Sequence, residues 1–167
     1  MNKYYQHFIK TASKDPILLD KGFTLIEMII VMAILSLIAT IVMPLAKTTA
    51  KRNKEIELRQ NLRIIRTALD EYKKLVDEGK IQKGIGESGY PKNMQVLIDG
   101  VPLIDAGGMK AKFLRRIPKD PMTEDGEWGK RSYFDEPDSM VWDGKDIYDI
   151  YSKSDGIALD GSRYGDW

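Results

Sequence analysis

The chain has 167 residues, of which 26 are basic and 25 acidic, and its formal net charge is +1. This length suits one modest domain, and the near balance of charge argues against a dedicated nucleic-acid-binding protein. Cysteine is absent and the single histidine is His7, so the sequence excludes disulfides, thiolate nucleophiles and cysteine-ligated metals.

Residues 1–22 form a charged leader that precedes the apolar part of the chain. The leader carries four lysines and two aspartates: Lys3, Lys10, Lys14, Lys21, Asp15 and Asp20. Without residues 1–22, the rest of the chain has 22 basic and 23 acidic residues and no histidine. Ser-His and Cys-His nucleophile pairs and most zinc sites would then be excluded.

An uninterrupted apolar segment follows, and from Met28 to Ala46 it contains no charged side chain. A helix of this length can cross a bilayer. The segment is longer than the apolar core of a secretory signal and continues through Pro44 into an amphipathic pattern. We therefore predict a retained membrane-spanning helix over residues 23–46. Because basic residues flank it on both sides, charge leaves its orientation open.

Thr24 and Glu27 begin this segment with the spacing of a capping box, in which each side chain satisfies a backbone donor at the helix start. A carboxylate also suits the positive end of the helix dipole. At the edge of a hydrocarbon layer, however, a carboxylate is costly and usually has a partner. The sequence is therefore compatible with two roles of Glu27, helix capping and an intermolecular contact. One side chain can fulfil both. At the other end, Pro44 predicts a kink or the membrane-exit boundary.

Residues 47–78 are predicted to continue the helix with an amphipathic pattern. One apolar stripe recurs at spacings of four and three: Leu58, Leu62, Ile65, Leu69, Tyr72 and Val76. Glu55 with Arg59, and Asp70 with Lys74, have the i,i+4 spacing of helix ion pairs. The basic residues of 47–54 suit a solvated helix face, or a contact with lipid headgroups or neighbouring acidic groups.

Helical periodicity fails at Gly79, and residues 79–167 predict a small globular domain. We expect a loop over 79–91, a short helix over 92–98 and irregular backbone over 100–112. Runs that favour β-structure occur at 131–134, 140–142 and 146–152, between turn residues. A helix followed by clustered strands is typical of an α+β fold.

The loop contains Gly84-Ile85-Gly86-Glu87-Ser88-Gly89, which matches a dinucleotide-binding fingerprint as a string. It follows a predicted helix and runs into Tyr90-Pro91, so it lacks the strand-to-helix context of that fingerprint. We therefore predict no cofactor there.

The segment Lys21-Gly22-Phe23-Thr24-Leu25-Ile26-Glu27, at the head of the apolar run, resembles the processing signal of type IV pilins and pseudopilins. The resemblance implies cleavage between Gly22 and Phe23 by a prepilin peptidase and N-methylation of Phe23. It also implies that Glu27 neutralises the Phe23 amine of a neighbouring subunit during assembly, and that Pro44 lets the helix bend as subunits pack. The implied fold is type IV pilin-like, with a long N-terminal membrane-spanning helix packed on a small antiparallel β-sheet.

The C-terminal third is similar to the major, G-type pseudopilin of type II secretion. The similarity rests on Arg116-Ile117-Pro118-Lys119-Asp120-Pro121, on Trp128-Gly129, and on Tyr148-Asp149-Ile150-Tyr151-Ser152 followed by Asp155-Gly156. It implies a structural subunit, not an enzyme, anchored once in the bacterial inner membrane with its C-terminal domain in the periplasm. The implied partners are further copies in a helical filament, minor pseudopilins, the inner-membrane secretion platform, prepilin peptidase and the lipid bilayer, with no nucleic acid. Such a periplasmic pseudopilus helps to export folded proteins across the outer membrane.

That family commonly binds calcium in its C-terminal loop, and the resemblance implies Ser152, Asp155 and Asp160 as ligands here. Calcium takes six to eight oxygen ligands. The adjacent acidic pair often found late in that loop is replaced by the segment 160–167, in which Arg163 would oppose a cation. A turn-rich tail without metal is the alternative.

Two other functions stay open, as does the role of a minor, tip-located pseudopilin. A type IV pilin or competence pseudopilin would serve adhesion, motility or DNA uptake, although many pilins carry a C-terminal disulfide that this chain cannot form. A membrane-anchored enzyme would need acid/base groups such as Asp143 with Asp146. Paired acids in turns rich in Asp and Gly are usually solvated caps, which argues against the enzyme.

Overall fold

A computed structural model of the chain describes residues 22–104, 107–136 and 138–167. The predicted leader, apart from Gly22, lies outside the described residues, as does His7. The chain divides into two compact units between Met43 and Pro44.

Helix α1 (Leu25–Asp77) has 53 residues and confirms the predicted long N-terminal helix. In its first part large apolar side chains are exposed, with Leu37 and Met43 both at 68%. Among the described residues, α1 alone is long and apolar enough to cross a membrane. Pro44 lies inside α1 and does not end it.

In the unit that begins at Pro44, the apolar stripe of α1 forms the base of the core. Leu58, Leu62, Ile65 and Leu69 are at most 3% exposed, so the predicted apolar stripe faces the core. Val76 is buried at the end of the stripe. The stripe packs against buried side chains from the rest of the unit: Met94, Leu97, Trp128, Ile147, Ile150, Ala158 and Tyr164.

The end of α1 is fixed by a glycine, as the sequence predicted. Gly79 has a φ of 69°, which places it in the left-handed region. Its N–H donates to the Val76 carbonyl at 3.0 Å, and the Lys80 N–H donates to the Leu75 carbonyl at 2.9 Å. These bonds satisfy carbonyls of the last turn and close the helix.

A short helix and a small hairpin follow. Helix α2 (Gln95–Asp99) begins later than predicted, and just before it the Asn93 side chain accepts the Val96 N–H at 3.1 Å. The prediction of irregular backbone over 100–112 is wrong in part. Strand β1 (Val101–Pro102) pairs antiparallel with strand β2 (Lys110–Ala111).

The second sheet lies on the core side of α1. Strand β3 (Trp128–Arg131) pairs antiparallel with strand β4 (Asp149–Ser152), with Gly129 opposite Tyr151. Side chains of this sheet and of α1 belong to one core cluster. The α+β arrangement is confirmed and is consistent with a type IV pilin-like fold.

The strand bounds differ from the prediction for a local reason. Residues 132–134, which follow the end of β3, leave the path of that strand, because the Asp135 carboxylate accepts the Ser132 N–H at 2.7 Å. The run 140–142 is not a strand, and there the Ser139 hydroxyl bonds the N–H and the carbonyl of Val141. Short polar side chains that bond nearby backbone compete with a sheet ladder. The run 146–152 is a strand only from Asp149.

Candidate assembly site at the start of the long helix

Thr24 and Glu27 form a reciprocal hydrogen-bonded pair at the start of α1. The Thr24 N–H and hydroxyl both donate to Glu27 Oε2, at 2.7 and 2.8 Å, and the Glu27 N–H donates to Thr24 Oγ1 at 3.3 Å. This geometry is a capping box, so the capping interpretation of the pair is confirmed. The intermolecular role of Glu27 stays a prediction.

The bond predicted for cleavage lies just before this cap. Phe23 is 80% exposed. Gly22 is also exposed, and a Cβ added there would have no described atom within 4 Å. Access and steric room at this bond therefore suit a protease, although cleavage and N-methylation stay predictions.

The apolar part of α1 satisfies its own polar side chains. The Ser36 hydroxyl donates to the Met32 carbonyl at 2.8 Å, and the Thr40 hydroxyl donates to the Ser36 carbonyl at 2.9 Å. Because these bonds stay inside the helix, they leave its surface apolar. Such a surface suits lipid or the side of another helix.

The comparison with protein families identifies this region. Residues 19–43 match the family model described as a prokaryotic N-terminal methylation motif. The chain carries the methylation motif of prokaryotic pilin-type proteins. The motif implies self-assembly into filaments, processing by a prepilin peptidase and membrane anchoring, and it suggests a structural protein instead of an enzyme. No curated protein and no solved structure matches the chain.

The three residues predicted to bind calcium do not share one site. Ser152 and Asp155 line a cavity of about 320 Å³ together with Lys153 and Arg163. Asp160 lines a separate cavity of about 490 Å³. Within the described parts of the chain, no group of three His, Asp or Glu side chains is placed to hold a metal.

Two of the three predicted ligands, Ser152 and Asp160, already have hydrogen-bond partners within the chain. The Ser152 hydroxyl donates to the buried Asp120 carboxylate at 2.6 Å. One Asp160 oxygen accepts from the Ser162 hydroxyl at 2.6 Å, and the other lies 3.1 Å from Arg59 Nη2. These hydrogen bonds, chiefly those from Ser162, lower the pKa of Asp160. The arrangement does not fit a calcium ion, and the calcium site stays a prediction that the geometry does not favour.

Asp143 accepts a hydrogen bond within its own turn, whereas Asp146 accepts from residues that are distant in the sequence. Asp146 is buried and accepts from the Ser132 hydroxyl and the Tyr133 N–H, both at 2.9 Å. A hydrogen bond from the Lys145 N–H lowers the pKa of Asp143. A carboxylate with a lowered pKa and one enclosed by donors make a poor proton-transfer pair.

The sequence missed the polar contacts that attach the C-terminal segment to α1. Buried Glu55 accepts the Leu159 N–H at 2.8 Å and the Tyr164 hydroxyl at 2.9 Å. Arg66 donates to both oxygens of Asp149, at 2.7 and 3.1 Å, and to the Trp167 carbonyl at 2.7 Å. Glu55 and Arg66 lie along one side of the apolar stripe. This position beside the stripe was the one sequence feature that pointed to their contacts.

The two predicted i,i+4 ion pairs are therefore wrong. Arg59 pairs with Asp160 instead of Glu55, and Lys74 lies 4.0 Å from a Glu78 oxygen instead of pairing with Asp70. Exposed i,i+4 pairs are weak. Other partners compete with them easily, namely Asp160 in the C-terminal segment for Arg59 and Glu78 one turn further on for Lys74.

Proposed function

We propose that this chain is a structural subunit of a type II secretion pseudopilus. The observation that carries the proposal is the methylation motif over residues 19–43. It coincides with an exposed apolar helix whose first turn holds a single carboxylate, Glu27. The missing cysteines and the segment Tyr148-Asp149-Ile150-Tyr151-Ser152 favour secretion over a type IV pilin.

The proposed work of the subunit is assembly, in which the chain makes and breaks no bond. Cleavage after Gly22 creates an ammonium group on Phe23, one turn of chain before the Glu27 carboxylate. Pairing of that carboxylate with the ammonium of a neighbour removes two charges from an apolar filament core, where unpaired charge is costly. The apolar helices then form the core, and the domain that follows forms the outer wall. Growth of the filament pushes folded proteins toward the outer membrane.

Deletion of the chain tests the proposal when secretion, twitching motility and DNA uptake are measured in one strain. We expect folded secreted proteins to accumulate in the periplasm, while motility and DNA uptake persist. Complementation with the wild-type chain should restore secretion, and complementation with Glu27→Ala should not.

The opposite pattern would overturn the proposal. Intact secretion with lost motility or DNA uptake would make the chain a type IV pilin or a competence pseudopilin. Both functions use the same motif, so only the phenotype separates them.

A further inference from the structure

Four cations occupy α1 directly beyond its apolar run, namely Lys47, Lys51, Arg52 and Lys54, and we call them the basic collar. No acidic residue occurs between Glu27 and Glu55. The uncharged run 28–46 spans about 28 Å at 1.5 Å per residue, close to the ~30 Å of a hydrocarbon core. The collar therefore begins where the hydrocarbon would end.

The collar is available for binding. Lys47, Arg52 and Lys54 are exposed, and in the ranges that the structure describes none of them forms an ion pair. Lys51 Nζ donates to the Ile157 carbonyl at 2.6 Å, a bond that uses one of its three N–H donors.

The positions of the cations follow the end of the apolar run. Lys47, Lys51 and Lys54 have the spacing of a single helix face, and the core begins beyond them, at Leu58. The bond from Lys51 brings Ile157, which is 60% exposed, to the level of the collar. Cations beside an exposed apolar side chain suit a surface with anionic headgroups above an apolar layer.

We propose that the basic collar binds the phosphate headgroups of anionic phospholipids. Ammonium and guanidinium groups donate charge-assisted hydrogen bonds to phosphate oxygens. Lysine and arginine stems can lie along the apolar boundary while their charges stay in water. Carboxylates of a neighbouring subunit are the less favoured partner, because the four cations directly follow the apolar run with no acidic residue among them, whereas Glu55 and Glu57 precede the next cation, Arg59. Each cation near an anionic surface should favour binding about fivefold. The proposal holds for any pilin-type function that keeps this helix in a membrane.

Spin-labelled lipids test the proposal on the full chain. The protein is reconstituted in phosphatidylcholine vesicles that contain a trace of spin-labelled phosphatidylglycerol or of spin-labelled phosphatidylcholine. Electron paramagnetic resonance then measures the share of each lipid that the protein immobilises. We expect a preference of at least fivefold for phosphatidylglycerol, which falls in high salt because exposed charges are screened.

Two variants and a matched control make the result specific. The quadruple variant K47Q/K51Q/R52Q/K54Q should lose the preference. The triple variant K47Q/R52Q/K54Q, which keeps the bond from Lys51 to the domain, should lose most of it. The control K83Q/K110Q/R115Q/R116Q removes four other exposed cations and should keep it.

Equal immobilisation of the two lipids by the wild type would overturn the proposal. A preference that survives in the quadruple variant, or that disappears equally in the control, would also overturn it. Weakened filament assembly in the triple variant with an unchanged lipid preference would assign the collar to acidic groups of a neighbouring subunit and would likewise overturn it.

Discussion

The Glu27 carboxylate caps α1 in the structure and is proposed to pair with the amine of a neighbouring subunit. The two roles need different properties of the side chain. A capping box accepts Gln in place of Glu, because it uses only the oxygen atom. Pairing with an ammonium needs the negative charge. Substitutions at Glu27 and at its partner Thr24 can therefore separate the roles.

We expect Glu27→Gln to abolish filaments and to leave α1 intact. Thr24→Ala should leave filaments intact and weaken the start of α1. It removes a cap worth about 0.5–2 kcal/mol but keeps the charge of Glu27. Electron microscopy of sheared filaments measures assembly, and circular dichroism of the full chain in detergent measures helix content. Normal filaments from Glu27→Gln would show that the charge is not needed.

The buried hydroxyl of Tyr164 makes stability depend on alkaline pH. Burial, and then the hydrogen bond to Glu55, raise the pKa of Tyr164 to about 12, from an ordinary value of about 10. The folded state thus holds this proton more strongly than the unfolded state. Its contribution to stability is complete below about pH 10 and is lost as the pH rises toward 12.

We expect the free energy of unfolding of the wild type to fall between about pH 10 and pH 12. Tyr164→Phe should fall less steeply and should already be less stable at pH 7, by about 1–3 kcal/mol, because Glu55 loses a donor. A slope remains, since burial also raises the pKa of Tyr72 and Tyr90. Urea unfolding of the full chain in detergent, followed by tryptophan emission, measures both effects. Tyr133→Phe, at an exposed tyrosine, is the matched control, and a slope that Tyr164→Phe leaves unchanged would contradict the assignment.

The Tyr151 ring of β4 can lie over Gly129 of β3 because Gly129 has no side chain. A Cβ at this position would lie 2.3 Å from atoms of the Tyr151 ring on the paired strand. The Arg131 guanidinium lies 4.3 Å from the centre of that ring. The Tyr151 hydroxyl donates to the Met140 carbonyl at 3.2 Å. The ring is therefore held in place against the strand.

Gly129→Ala should destabilise the domain by about 1–3 kcal/mol, the usual cost of an overpacked core. In a Tyr151→Leu background the same substitution should cost less, because the ring that it meets is gone. Urea unfolding of the four chains gives the coupling free energy of this double-mutant cycle. An equal cost in both backgrounds would mean that the backbone of β3, not the ring, demands the glycine.

Features of the whole molecule that depend on local spacing could be predicted from the sequence. The length of α1, its inward stripe and the capping box all follow from residues three or four positions apart. The strands have two or four residues, too few for an alternating pattern to place their ends. The contact of Glu55 with Leu159 joins positions 104 residues apart. No local pattern predicts such a contact, so the attachment of the C-terminal segment was missed.

The C-terminal segment is attached to α1 partly through Asp160, one of the three residues that were expected to bind a metal. Arg59 bonds Asp160, and Arg66 bonds Asp149 and the Trp167 carbonyl. Arg59 also lies 4.0 Å from the centre of the Trp167 ring. The Arg59 guanidinium thus already supplies Asp160 with a positive charge and a hydrogen-bond donor.

We expect the midpoint of thermal unfolding to be the same in calcium and in a calcium chelator. Arg66→Gln should lower it by several degrees, because it removes hydrogen bonds from a charged donor that solvent partly screens. Arg63→Gln, at an exposed arginine one turn away, should leave it unchanged. Tryptophan fluorescence of the full chain reports this region, because all three tryptophans lie beyond residue 127. A rise with calcium that Asp160→Asn abolishes would mean that the loop rearranges to bind the ion, with Asp160 released from Arg59.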